Sequence, residues 1–164
     1  MGDTIWIFDL VKFLIPIFGF EILSDALRCA AEYGYTNIAK LLIPVSNPKV
    51  NNSIALRFAA ESGYIEIVKL LIPVSDPKAK DNYALRRAAE YGHTEIVKLL
   101  IPVSDPKLYG NKSLRCAIYN RCIEIAKLLT PLSEIDNDLI NYCKKYCINQ
   151  ELLDLIIAYK KENK

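Results

Sequence analysis

His93 and five cysteines, Cys29, Cys116, Cys122, Cys143 and Cys147, are the residues of this 164-residue chain with most to offer chemically. A histidine works as a general acid or base when a nucleophile or acid stands within about 3 Å of it, and the segment around His93 supplies no dedicated partner. Cys143 and Cys147 lie one helical turn apart and Cys122 is a third thiol. A structural zinc needs four ligands and usually tight CxxC spacing, so packing is the better reading and no metal is expected. Cys29 and Cys116 occupy one slot of widely separated segments, too far apart to bridge. An odd number of cysteines inside predicted helices reads as small core residues of a reducing compartment. No glycine-rich phosphate loop, catalytic carboxylate pair or nucleophile-base pair emerges. The chain is therefore expected to be non-enzymatic and to need no cofactor.

The charged residues form columns. Arg28, Arg57, Arg86 and Arg115 recur every 29 positions, a ladder that on packed helices would rise in steps of roughly 10 Å. Glu32, Glu61 and Glu90 stand four residues after the first three and are expected to neutralise them, whereas Tyr119 replaces the acid that Arg115 would need. With a Debye length of about 8 Å, such rungs barely reinforce one another. A net charge of +2 also argues against neutralising a phosphate backbone, so no nucleic-acid partner is expected. Lys40, Lys69, Lys98 and Lys127 read as a solvated helix face, partnered by Glu66, Glu95 and Glu124.

These columns exist because the chain repeats itself. Leu27, Leu56, Leu85 and Leu114 keep the 29-residue step, as do Pro44, Pro73, Pro102 and Pro131. Such a period means stacked supersecondary units, each too small to bury its own apolar face. Ser24, Ser53, Asn82 and Asn111 stand three residues before the marker leucine, where a side-chain oxygen is expected to cap a first helix. Paired alanines (Ala30-Ala31, Ala59-Ala60, Ala88-Ala89) permit close helix approach, and Gly34, Gly63 and Gly92 end the helix in a left-handed turn. A second helix follows, with Ile96, Leu99 and Leu100 and their counterparts as its apolar stripe. The prolines then close it and open a Val-Ser-Asp-Pro loop.

The run Ala88-Ala89-Glu90-Tyr91-Gly92-His93-Thr94-Glu95-Ile96-Val97-Lys98-Leu99-Leu100 resembles the AA-x-x-GH-x-EIVKLL core of the ankyrin repeat, and Ala30–Leu42, Ala59–Leu71 and Ala117–Leu129 align with it. The usual TPLH opening is here Tyr83-Ala84-Leu85-Arg86, and the 29-residue period is about four shorter than the family's. The resemblance implies an all-α, ankyrin-like helical-repeat solenoid of stacked antiparallel helix pairs with shortened loops. In that family His93 would serve structural hydrogen bonding. The expected organisation is one elongated domain: an N-terminal capping helix in 1–23, four repeats over 24–133 (about 24–52, 53–81, 82–110 and 111–134), and a capping helix pair with a tail in 134–164. The family implies a non-enzymatic interaction module, an adaptor or scaffold whose partner is another protein. It also includes proteins that viruses and intracellular bacteria direct at host factors, which implies a host-directed role. The partner-binding residues expected on the concave face and loop tips are Tyr33, Phe58, Ser62, Lys80, Tyr83, Arg87, Tyr91, Tyr109, Lys112 and Tyr119, where the repeats differ from one another and where tyrosine offers rigid contact area with a polar tip.

The apolar run 5–23 has the length of a membrane span, but Asp9, Lys12 and Glu21 interrupt it, and each would cost roughly 2.5–3.5 kcal/mol near a bilayer centre. No basic flank or cleavage site frames it. Val11-Lys12-Phe13-Leu14-Ile15-Pro16 instead aligns with Val97–Pro102, the register of an orphan second helix. An interfacial anchor through Trp6 and the phenylalanines, or a structural, self-assembling protein joined through this aromatic start or its divergent C-terminal end, is the alternative. The expectation is an intracellular, cytoplasmic monomer with no membrane partner.

Overall fold

The computed structural model describes residues 19–146 and 149–162, apart from the side chains of residues 109 and 110. Of the capping helix expected in 1–23, residues 1–18 lie outside the described residues, and residues 19–23 belong to the helix that continues to residue 33. Among the described residues there are helices, 3-10 turns and loops, and no strand. The fold class is an all-α helical-repeat solenoid. The chain divides into two compact units, Met1–Asp76 and Pro77–Lys164.

Unit 1 contains α1 (residues 19–33), α2 (Thr36–Leu42), α3 (Val50–Ser62) and α4 (Ile65–Leu71). Unit 2 contains α5 (Ala79–Glu90), α6 (Thr94–Leu100), α7 (Leu108–Tyr119), α8 (Ile123–Leu129), α9 (Asn137–Tyr146) and α10 (Gln150–Glu162). Odd-numbered helices are the first of each pair. In unit 2, α5, α7 and α9 pack in series, and α6 packs on α8; in unit 1, α2 packs on α4. The marker leucines Leu27, Leu56, Leu85 and Leu114 are completely buried, and so is Cys143, which holds the same slot of α9. Each such leucine contributes about 1.5–3 kcal/mol by leaving water. The paired alanines beside them are buried as well.

The second helices bury a slightly different stripe from the one expected. Ile67, Val68 and Leu71, Ile96, Val97 and Leu100, and Ile125, Ala126 and Leu129 are fully buried, while Leu70, Leu99 and Leu128 are half-buried. These helices are only seven residues long, and the following proline, lacking an amide and crowding the preceding turn, converts the chain to a 3-10 turn.

The residues expected to cap the first helices do something else. No side chain caps α3, α5 or α7 at its start. Residues 51–53 and 80–82 are left-handed, as is Asn111, which turns the conserved-looking Ser or Asn side chain inward. Ser24 Oγ accepts the Asn47 amide at 3.1 Å and Ser53 Oγ the Asp76 amide at 2.8 Å. Asn82 Oδ1 accepts the Asp105 amide at 3.2 Å and Asn111 Oδ1 the Glu134 amide at 3.0 Å, while each Nδ2 donates back to the carbonyl of the same residue. Every one of these bonds spans 23 residues, so each pins the start of a first helix to the loop that follows its own second helix.

Candidate functional site

The residues expected to bind a partner fall in both units. In unit 1, Tyr33 is exposed at the end of α1 and lies 6.3 Å from the ring of Tyr35. Phe58 is half-buried on α3 with the Arg28 guanidinium 5.9 Å from its ring centre, and Ser62 is exposed at the end of the same helix.

Unit 2 concentrates the rest. Tyr83 and Arg87 stand at i and i+4 of α5, hence on one face, and Tyr91, four residues further, is the residue that closes the helix. The Arg87 guanidinium lies 5.4 Å from each of the two tyrosine rings, and Arg86 lies 5.4 Å from Tyr83 on its other flank. Arg87 also pairs with Glu90 at 2.8 Å. The expected Arg86–Glu90 pair is therefore replaced: α5 alone carries an arginine where the equivalent slots hold Cys29, Phe58 and Cys116, and that extra cation takes the acid. Tyr91 is 54% exposed and stacks near His93. Lys80 and Lys112 are exposed; the Tyr109 side chain lies outside the described residues.

A second aromatic group is built by α7 and α9. Tyr119, 61% exposed, meets Tyr146 edge-on at 5.6 Å, and Tyr146 lies 4.6 Å from Tyr142. Arg115 sits 5.0 Å over the Tyr142 ring, and Lys145 5.0 Å over Tyr146. The Tyr142 hydroxyl donates to the Arg115 carbonyl at 3.4 Å. Burial, then the neighbouring Cys116, pushes the Tyr142 hydroxyl above its ordinary pKa; burial, then Glu90, does the same to the Cys116 thiol. Arg86, Arg115, Tyr142, Lys145 and Tyr146 were not among the expected site residues. The signal for the α9 members was the step from Leu114 to Cys143, which carries the 29-residue register one pair further.

Outside this face little converges. Among the described residues no three His, Cys, Asp or Glu side chains gather as metal ligands. His93 is half-buried in its turn, and the Cys122 thiol donates to the Asn120 carbonyl. A cleft of about 410 Å³ lies between Lys107, the 131–135 loop and α10; there Lys160 is engaged with Asn137 at 2.6 Å and the Tyr159 hydroxyl with the Pro131 carbonyl at 2.8 Å. No described helix is long and apolar enough to cross a membrane. What the face offers chemically is contact: planar rings and guanidinium edges carried on helices.

A family model for ankyrin repeats in three copies matches residues 7–81 and residues 73–141. A search of curated proteins returns no match.

Proposed function

The chain belongs to the ankyrin repeat family, and from that premise we propose that it is a non-enzymatic adaptor that holds another protein on its first helices and loop tips. Ankyrin repeats are generally protein–protein interaction modules. The observation that carries the finer reading is the tyrosine-arginine surface of α5, α7 and α9, because large amphipathic rings and guanidinium groups are the side chains most often found at the energetic centre of an interface. Specific recognition buries about 800 Å² on one side. The adaptor works inside a cell as a monomer, and a host factor is the partner its family suggests. Affinity capture from lysate tests the reading: the native chain recovers a discrete protein, and the Tyr91→Ala/Tyr119→Ala variant, both positions being solvent-exposed, folds equally well and loses it. Equal capture by the two proteins would remove this face from consideration.

One observation favours a second reading, self-assembly. Phe20, Ile22, Ile38 and Leu41 are exposed in unit 1, an apolar edge where a second copy would sit. A mass that rises with concentration, and falls back in Ile38→Asp, would select it.

A further inference from the structure

The helices that carry the binding surface are charged unevenly, and the imbalance narrows the chemistry of the partner. In unit 1, Arg28 is held by Glu32 at 2.8 Å and Asp25 at 3.7 Å, and α1 with α3 has two arginines, Arg28 and Arg57, against Glu21, Asp25, Glu32 and Glu61. In unit 2 the acids run out. Glu90 is taken by Arg87, and Tyr119 stands in the next acid slot. Arg86 lies over Tyr83 and makes no ion pair among the described residues; its Nε is buried without a hydrogen-bond partner. Along α5, α7 and α9 the basic residues are Lys80, Arg86, Arg87, Lys112, Arg115, Lys144 and Lys145, and the acidic ones are Asp81, Glu90 and Asp138. In α6 Glu95 pairs with Lys98 at 2.7 Å. Lys127 of α8 pairs with Glu151 of α10 at 3.3 Å rather than with the expected Glu124, and α8 carries one acid and one base while α10 has one more acid than base. The excess is thus confined to the first helices of unit 2.

We propose that this face takes an acidic segment of the partner protein, whose carboxylates meet Lys80, Arg86 and Lys112 while its apolar groups rest on Tyr91 and Tyr119. The inference rests on the adaptor reading and adds the sign of the partner. A carboxylate brought to Arg86 supplies the acid that its repeat slot lacks. Guanidinium groups already lying on a ring keep their edges, which carry the N–H donors, for a planar acceptor. Single-stranded nucleic acid fits less well. It binds by stacking bases on open aromatic faces, and here Tyr83, Tyr91, Tyr142 and Tyr146 each have a cation over the ring.

Selection of random 16-residue peptides displayed on phage against the full chain tests this. The expected result is enrichment of sequences rich in Asp and Glu. Their binding should weaken at least about tenfold between 50 and 300 mM salt, since complementary charges steer and hold an encounter that salt screens. Two variants read the site: Lys80→Gln/Lys112→Gln, at exposed positions that leave folding intact, and Arg86→Gln. Each should lower affinity for an enriched peptide about threefold to tenfold, as rim ion pairs do. Enrichment of neutral or basic sequences, no enrichment at all, unchanged affinity in both variants, or tighter binding of a 20-nucleotide single strand each overturns the proposal. The adaptor reading is separately exposed: if neutral peptides enrich and Tyr91→Ala/Tyr119→Ala releases them, the acidic partner falls and the binding face stands.

Discussion

At the scale of single residues, the inward-turned asparagines decide more than their polarity suggests. Asn82 is buried and satisfies both the amide and the carbonyl of Asp105. Asn82→Ala takes the partner from the Asp105 amide, while the Asp105 carbonyl keeps the Leu108 amide at 3.1 Å, and should cost about 1–2 kcal/mol. Asn82→Ser restores one acceptor, the arrangement Ser53 already has with the Asp76 amide, and should recover about 1 kcal/mol of that; urea unfolding of the three proteins checks it. A backbone position gives the opposite sign. Gly34, Gly63 and Gly92 hold the left-handed turn between paired helices, but in the fourth repeat the slot is Arg121 at φ 61°. A side chain there costs roughly 1–2 kcal/mol, partly offset by the larger entropy that glycine loses on folding. Arg121→Gly should therefore stabilise the chain by up to about 1 kcal/mol, read as a higher melting temperature. Gly34 is the reverse case, since a Cβ there would run into the ring of Tyr64, whereas at Gly92 it would meet only Cys122 Sγ at an ordinary 3.5 Å.

At the scale of elements, the period did most of the work. Once the marker leucines are spaced by 29, helix pairs, glycine turns and proline stops follow from local chemistry, and the helices end close to those signals, while α3, α5 and α7 begin three residues before the expected capping residues Ser53, Asn82 and Asn111. What the spacing did not reveal is where side chains turn. The left-handed residues in the first turn of α3 and of α5 aim Ser53 and Asn82 across to a loop 23 residues away, and a cap and a cross-loop tie use the same residue types. The Arg87–Glu90 pair was likewise hidden, because i+3 and i+4 partners compete for one acid and only the packed rotamers choose. The contact between α5 and α7 brings a further consequence at alkaline pH. Cys116 has its thiol pKa raised by burial and by Glu90 of α5. Because the folded value is the higher one, the unfolded chain deprotonates first. The stabilising effect is complete below the unfolded value of about 8.5 and is lost as pH climbs through the folded one. Unfolding free energy measured from pH 8 to 11 should fall, and Cys116→Ser should flatten that decline. Tyr142 and Cys122, both raised by burial in the same direction, contribute to the part that remains.

At the scale of the whole molecule, the same repeat slot separates what is interior from what is edge. Ile67, Ile96 and Ile125 are at most 2% exposed, whereas Ile38 in the same position of α2 is 48% exposed. The later helix of each such contact has its isoleucine buried, α4 packing on α2 and α8 on α6, and among the described residues no second helix precedes α2. Ile67→Asp puts a charge in the interior and should cost more than about 4 kcal/mol, enough to unfold a domain of ordinary stability. Ile38→Asp loses half of an isoleucine's burial and should cost about 1 kcal/mol. The pair also bears on assembly. Four partly exposed side chains, Phe20, Ile22, Ile38 and Leu41, present on the order of 300 Å² of apolar surface, the size of the largest patch on an ordinary monomer and well short of the roughly 800 Å² per partner of a stable interface. Sedimentation equilibrium should then give the single-chain mass of 18.6 kDa across the micromolar range for the native protein and for Ile38→Asp alike. A dimer mass in the native chain that Ile38→Asp abolishes would make this edge an interface and turn the adaptor into a two-copy one, with its acid-seeking faces doubled.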